Sequence, residues 1–567
     1  MNIFDNQLWK QFLALAKPYW YPDEEGRSWR EILFSWFLLV LSLLLLVTIT
    51  SVNAFNSYAT RDLIDLLEQK NTSNYFNLLI TYAISLATLA ILIVFSQYLR
   101  RKIALDWYQH LTKYILEKYF GNLAYYKISL KSEIDYPDQR ISQEIEPIPR
   151  MAMNLLFVFL EKAMEMVTFI VILWSISKLV AVIMVVYTIV GNAVGLYFNQ
   201  ELNKINSKET EGQANFNYCL THVHKNAESI AFFQGESRES NIIKRAFTNL
   251  IQNRQQLTGW QNNQLLFTNG YQFFIILLPF ILIGPLYFFD EIELGEVNQA
   301  SVGCAIFAGA LSVIVSELAY AGQLTNLINR LSTFLEALSA SSTQQEVDNI
   351  IETVEAENIA VENVTLQTPN YEQVLVRDLS FSVETSTGMV IVGSSGTGKS
   401  SLLRAIAGLW KSGTGRIVRP NLEEILFLPQ NPYLILGTLR EQLLYPNRNN
   451  QITDSELEEI LQQVNLHYLL TRVGSFDTEQ YWENVLSLGE QQRLIFARVL
   501  VTRPRYVIID EATSALDLEN EDNLYQLLQQ TEATFISVGH RESLLKYHQW
   551  ILELTGESNW ELRPNNI

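Results

Sequence analysis

The stretch MVIVGSSGTGKSSLLRAIAGLW, Met389–Trp410, carries the spacing G-x-x-x-x-G-K-[ST] at Gly393, Gly398, Lys399 and Ser400. An apolar strand-like run precedes it and an apolar helix-like run follows, the context this spacing requires. Glycines at the fixed positions let backbone N–H groups between Gly393 and Ser401, through Ser394, Ser395, Gly396 and Thr397, wrap the oxygens of a phosphate chain. Lys399 then reaches the terminal phosphates, and Ser400 offers a hydroxyl to Mg2+.

A second constellation lies in RYVIIDEATSALD, Arg505–Asp517. The apolar run YVIID reads as a buried strand ending in Asp510, placed to hold Mg2+ through water, and Glu511 follows it. A carboxylate there can orient an attacking water and take its proton. Gln430 in FLPQNPY and His540 in FISVGHRE also follow apolar strand-like runs. In a parallel sheet the carboxyl ends of the strands face the ligand, so both join the candidate site. A third stretch, VLSLGEQQRLIFARVL (Val485–Leu500), opens a helix with Ser487, Gly489 and Glu490. Helix N-termini attract anions, so one chain carries two phosphate-facing helix starts.

These residues occupy only the second half of a 567-residue chain, which is long enough for two large units. Hydrophobic residues make up 48% of it and the mean hydropathy is +0.07, a balance that fits a membrane half joined to a water-soluble half. The net charge of −19 argues against nucleic acid as a partner. Cys219 and Cys304 are the only cysteines, so there is no disulfide framework and no metal spacing. The N-terminal stretch lacks a basic n-region and a small-residue cleavage site; Trp9–Tyr21 reads instead as an interfacial helix on the inner leaflet.

Six apolar stretches have the length of a membrane span: Ile32–Val52, Phe76–Leu99, Leu155–Trp174, Leu179–Phe198, Leu265–Phe289 and Ala300–Ala321. The loops Arg100–Asn154 and Asn199–Gln264 are long, carry helix-like patterning and should project beyond the bilayer. Arg100, Arg101 and Lys102 follow the second span, whereas DEIELGEVNQ between the last two has no Lys or Arg. Basic loops stay inside, so the long loops and both termini are expected in the cytoplasm. Glu161, Lys162 and Glu165 interrupt the third span and Glu317 the sixth. Charge within a span marks a cavity or pathway, or else these residues lie below the membrane in water; Glu161, Glu165 and Glu317 are the candidates for cavity lining. The expected organisation is an all-α six-helix transmembrane domain at 1–338, a polar linker at 339–358 and an α/β nucleotide-binding domain at 359–567.

The order Gly393–Ser400, Gln430, LSLGE (Leu486–Glu490), Asp510–Glu511, SALD (Ser514–Asp517) and His540 resembles that of ATP-binding cassette transporters. Six spans before one cassette resemble an exporter-type half-transporter. AIAGLW, LPQNPY, GTLREQLLYP, YWENVLSLGEQQR and SVGHRESLLKYH, with YPDQRISQEI (Tyr136–Ile145) and NAESIAFFQGE (Asn226–Glu236) in the membrane half, resemble subfamily D. That subfamily comprises peroxisomal-type fatty acyl-CoA transporters, with bacterial relatives of the BacA/SbmA-like and cobalamin-transporting type.

The resemblance implies an ATPase that drives transport by alternating access, with ATP and Mg2+ as its cofactors. It implies a homodimer in which Ser487, Gly489 and Glu490 of one chain cap the nucleotide held by the other. Glu511, His540 and Gln430 become the catalytic residues, Ser400, Gln430 and Asp510 the Mg2+ ligands, and Ser514, Ala515, Leu516 and Asp517 the loop between the two sites. Leu488 stands where the family motif has glycine. The aromatic that stacks on adenine is missing at Thr368, so either Tyr371 replaces it or nothing stacks there. The implied cargo is a fatty-acyl or lipid-like amphiphile, with cobalamin or a peptide as the alternative, in a bacterial inner membrane. Two readings of other classes stand beside this one: an ATPase-gated channel and a mechanical ATPase anchored to the membrane.

Overall fold

The apolar stretches fold as helices that run well past them. In the computed structural model, which describes residues 6–22, 27–129, 137–342, 350–446, 452–539 and 541–565, the first of two units (Met1–Gln344) is helical. It contains α1 (Asn6–Trp20), α2 (Trp29–Glu68), α3 (Thr72–Phe120), the short α4 (Ala124–Ser129) and α5 (Pro137–Gln139), and α6 (Pro147–Ile176). It continues with α7 (Lys178–Lys225), the short α8 (Ala227–Phe233), α9 (Glu236–Phe288) and α10 (Leu294–Ser342). The 53 residues of α9 reach ~80 Å at 1.5 Å per residue, against ~30 Å of hydrocarbon in a bilayer. The polar segments that separate apolar spans in the sequence are therefore largely continuations of the same helices.

Among the described residues, five helices are long and apolar enough to cross a membrane: α2, α3, α7, α9 and α10. The third expected span, on α6, is not among them, because Glu161, Lys162 and Glu165 fall within it. Its charges are matched within the protein: Arg100 bonds Glu161 at 3.2 Å, and Lys162 bonds Glu165 at 2.8 Å. The first helix is more than a surface feature. Leu15 and Tyr19 of α1 are buried, and the Tyr19 ring stacks on Trp107 of α3 with centroids 5.8 Å apart.

The second unit (Gln345–Ile567) is α/β. One sheet has the order β1 (Glu352–Glu355), β5 (Gly413–Arg419), β2 (Ile359–Gln367), β3 (Val374–Val383). A minor ribbon pairs β7 (Gly437–Thr438) with β8 (Glu479–Gln480). The main sheet has the order β12 (Asn559–Pro564), β11 (Trp550–Gly556), β4 (Gly388–Gly393), β10 (Thr534–Val538), β9 (Tyr506–Asp510), β6 (Ile425–Leu428). From β11 to β6 every pairing is parallel, and only β12 runs against its neighbour. Strands buried on both faces read as continuous Val/Ile/Leu runs, as in MVI (Met389–Ile391) and YVII (Tyr506–Ile509), where each residue is buried. The helices are α11 (Lys399–Ile406), α12 (Leu439–Leu444), α13 (Asp454–Gln463), α14 (Tyr468–Val473), α15 (Trp482–Val485), α16 (Leu488–Thr502) and α17 (Leu518–Gln530). Parallel register aligns the carboxyl ends: Val538 pairs with both Ile391 and Asp510, and Leu428 with Ile509.

Candidate nucleotide site

β4 ends in Gly393, and the loop to α11 turns back on itself. Gly393 has φ +148°, and a Cβ there would lie 2.5 Å from the Leu554 carbonyl oxygen, so both backbone and space demand glycine. Gly398 takes φ +98° as the residue before α11. The Lys399 ammonium, 6% exposed, donates to the carbonyls of Gly393 and Ser394 at 2.8 Å each. Burial lowers its pKa, while Glu511 and Asp510 pull it back up. Thr397 Oγ1 donates to the Ser394 carbonyl at 2.9 Å and tightens the loop.

Two polar pairs stand at the carboxyl ends of the neighbouring strands. Ser400 Oγ donates to Asp510 Oδ1 at 3.0 Å, and Gln430 Nε2 donates to Glu511 Oε2 at 2.8 Å. Burial raises the pKa of Asp510, Ser400 lowers it, and Glu511 raises it further. A carboxylate so placed gains from a cation beside it. The hydroxyl of Ser400, the carboxylate of Asp510 and the amide of Gln430 supply hard oxygen donors, the set Mg2+ takes together with phosphate and water. Glu511 sits at φ +51°, its N–H donating to the Val538 carbonyl at 3.1 Å. A glutamate held in the left-handed region is a local cost, of a kind concentrated at functional sites. His540 lies outside the described residues.

The helix start at Ser487 is built as a cap. Ser487 Oγ accepts from the Glu490 N–H at 3.3 Å, and Glu490 Oε2 accepts from the Ser487 N–H at 2.7 Å. Glu490 also accepts from the Tyr468 hydroxyl at 2.8 Å and from Arg472 at 3.2 Å. Burial pushes its pKa up, but the Ser487 N–H, the Tyr468 and Ser487 hydroxyls and Arg472 outweigh this and hold it below the ordinary value. Glu490 is thus committed to its own helix, whereas Leu488 stands half exposed. A Cβ on Gly489 would meet the Ala515 carbonyl at 3.4 Å and Leu516 Cδ2 at 3.5 Å, so α16 starts directly on the Ser514–Asp517 loop. Asp517 caps α17 by accepting from the Asn520 N–H at 2.8 Å.

Several residues that hold this arrangement carry no sequence motif. Gln492, inside α16, accepts from the Ala515 N–H at 3.0 Å and donates to Ser514 at 3.4 Å. Arg541 donates to the carbonyls of Leu516 and Ser514, both at 2.9 Å, and pairs with the buried Glu521 at 3.4 Å. Glu521 also accepts from Thr513 at 2.7 Å and Ser543 at 2.9 Å. Arg498 of α16 donates to the Tyr433 carbonyl at 3.0 Å and to that of Gln442 at 2.8 Å, tying the segment after Gln430 to the helix that starts at Ser487. Burial pulls its pKa down to about 10. The only sequence signal was a charge within an otherwise apolar stretch of helix.

Thr368 donates to Asn370 at 2.6 Å within the turn joining β2 to β3, and Tyr371 stands on that turn at φ +59° with 39% of its surface exposed. Leu375, four residues on, lies 3.1 Å from where a Gly398 Cβ would sit, which brings the strand leaving this turn against the phosphate loop. Of the three carboxylates expected in a membrane cavity, Glu165 lines one of about 500 Å3. Glu161 is held by Arg100, and Glu317 accepts from Asn154 Nδ2 at 3.3 Å; neither is among the lining residues.

Residues 30–288 match the family described as ABC transporter transmembrane region 2, and residues 376–514 the family described as ABC transporter. An uncharacterized ABC transporter ATP-binding protein of Synechocystis sp. is 40% identical, across 94% of this chain and 82% of its own. ABC transporter D family member 2, chloroplastic, of Arabidopsis thaliana is 31% identical, across 98% and 88%. The lysosomal cobalamin transporter ABCD4 of Mus musculus is 30% identical, across 82% and 83%. A solved structure of a bacterial Atm1-family ABC exporter with ATP bound has the same fold, with a TM-score of 0.69 at 18% identity over 93% of this chain and 95% of that one. With one transmembrane region and one ATP-binding cassette, the chain belongs to the ABC transporter family as a half-transporter, with ABCD-subfamily members among its relatives.

Proposed function

We propose that two copies of this chain form a homodimer that uses ATP to move a fatty-acyl or similar lipid-like amphiphile across a bacterial inner membrane, with both termini and the cassette in the cytoplasm. The observation that carries the reading is the side-by-side placement of Ser400–Asp510 and Gln430–Glu511 at the ends of adjacent strands, in a chain whose other half is built of membrane-length helices. Glu511 accepts a proton from water as the water oxygen attacks the γ-phosphorus, the bond to the bridging oxygen breaks, and ADP leaves. Gln430 fixes the orientation of that carboxylate. Ser400, Asp510 and Gln430 would hold Mg2+, whose charge would offset that of the β- and γ-phosphates. Ser487 and Gly489 serve the partner's nucleotide; among the described residues they contact Glu490, Ala515 and Leu516 of their own chain. The exposed Tyr371 is the candidate surface for adenine.

A second reading of the cargo is cobalamin, favoured by the ABCD4 relative. The test is ATP turnover and vectorial uptake by the protein in proteoliposomes, with acyl-CoA, free fatty acid, cobalamin and a proline-rich peptide each added in turn. Stimulation by the acyl compounds alone supports the proposal. Stimulation by cobalamin or peptide alone, with acyl compounds changing neither turnover nor thermal stability, rejects it. Ion currents without uptake would point to a gated channel.

A further inference from the structure

Within one protomer, α2, α3, α6 and α10 line the cavity of about 500 Å3, which is open on one side. Three contacts set the order of its walls: Asn56 accepts from the Ser85 hydroxyl, Gln299 Nε2 donates to Ser57 Oγ at 3.2 Å, and a Cβ on Gly303 would meet Phe169 at 3.5 Å. One end is therefore an amide and hydroxyl cluster of Asn56, Ser57 and Gln299. The middle is apolar, with Leu86, Phe169 and Ile306, and the far end holds the Lys162–Glu165 pair.

Asn56 is 7% exposed, and its Nδ2 has no hydrogen-bond partner among the described residues. A buried amide N–H without an acceptor is disfavoured, and a ligand oxygen would relieve it. The cavity calls for no net charge. Lys162 is answered by Glu165 at 2.8 Å and Glu161 at 3.6 Å, and Glu161 in turn by Arg100. The lining runs along α10 from Asn298 to Val313, ~22 Å at 1.5 Å per residue. Its volume holds roughly sixteen water-sized groups at ~30 Å3 each. A molecule with a long chain can lie along such a lining.

We propose that this cavity binds a single-chain acyl amphiphile with an uncharged head, its carbonyl oxygen accepting from Asn56 Nδ2 and its chain lying along Leu86, Phe169 and Ile306. The inference deepens the proposed amphiphile transport and rests on it for the site's role, because the same chemistry can arrive as cargo or as a lipid of the bilayer.

The test uses the full-length protein in lipid nanodiscs and a long-chain monoacylglycerol with a diazirine on its chain, labelling being mapped by mass spectrometry. Label is expected on the segments containing Leu86, Phe169 and Ile306. Asn56→Leu, with the same branched shape but without the donor, should lower labelling about tenfold, the loss of one hydrogen bond. Ile306→Trp obstructs the apolar middle of the cavity and should strongly reduce labelling. Labelling unchanged in both variants, or confined to the outward Ile80 and Ile84, overturns the site. If the amphiphile is cargo, it raises ATP turnover in the parent protein and not in Asn56→Leu. Labelling that depends on Asn56 while turnover does not respond supports the site as a lipid site and counts against the acyl-transport reading.

Discussion

The Gln430 side-chain amide donates to the Glu511 carboxylate at 2.8 Å, joining the ends of β6 and β9. The amide N–H fixes which lone pairs of the carboxylate point outward. Glu511 therefore need not search rotamers before it meets water. The same strand ends carry Asp510 against Ser400 at 3.0 Å, so the carboxylate proposed to activate water and the carboxylate proposed to hold the cation are adjacent in sequence and separate in partner.

Glu511→Gln should keep ATP binding and lose most turnover, by roughly 10²–10⁴-fold, the usual contribution of a general base. Gln430→Ala should lower kcat, because it loosens the base without removing it, and should weaken Mg-ATP binding as well, because one of the three proposed Mg2+ ligands is lost. Phosphate release and nucleotide binding measured separately check both. Near-normal turnover in Glu511→Gln would sink the assignment.

The in-trans geometry predicts complementation. A dimer with Lys399→Ala on one chain and Ser487→Arg on the other keeps one intact composite site. A dimer with both changes on one chain has no intact site. Turnover of purified mixed dimers should therefore be clearly higher in the first arrangement, and equal residual activity would reject the shared site.

Gly489 has room for a methyl group within its own chain, where a Cβ lies in ordinary contact with Ala515 and Leu516. Gly489→Ala should therefore leave thermal stability unchanged, or raise it by up to ~1 kcal/mol from helix propensity. If the partner's γ-phosphate packs against this position, ATP turnover should still fall, by about tenfold or more. A variant both as stable and as active as the parent would show that no nucleotide comes close to Gly489.

The contrast between legible and illegible parts follows from what is local. Gly393–Ser400 and Asp510–Glu511 act through consecutive residues at strand ends, so their spacing alone reports them. Ser487 and Glu490 form a capping box visible as S-x-x-E, but only the structure shows Glu490 turned inward to Tyr468 and Arg472. Gln492, Arg498, Glu521 and Arg541 act across 20 to 65 residues of chain, through backbone groups, a hydroxyl and an ion pair that have no sequence signature. In the membrane unit, hydropathy located apolar segments but not helix ends, because helix continuation into water is decided by propensity and packing rather than apolarity. The charges of α6 were visible, yet the partner Arg100 lies 61 residues before Glu161.

His548 gives the cassette a pH dependence of defined sign. Its Nδ1 lies 2.7 Å from the Leu544 carbonyl, which can only accept, so Nδ1 carries the proton. Nε2 then accepts from the Ser537 hydroxyl at 2.9 Å, and Ser537 accepts from Tyr525 at 3.2 Å. A second proton on Nε2 would break this chain, and burial pulls the pKa from the usual 6.5 to about 4. The unfolded chain takes up that proton first as pH falls. The stabilisation is therefore complete above about pH 6.5 and is lost as pH drops toward 4, about 2 kcal/mol of it between pH 7 and pH 5. Ser537 lies in β10, the strand that leads to Gly539 and His540, so the loss should loosen the floor of the nucleotide site as well as the core. Denaturant unfolding of the full chain in detergent, followed at pH 7 and pH 5, should show the shift in the parent protein and a smaller one in His548→Gln, which has no titrating ring. Parallel pH profiles for the two proteins would remove His548 as the source.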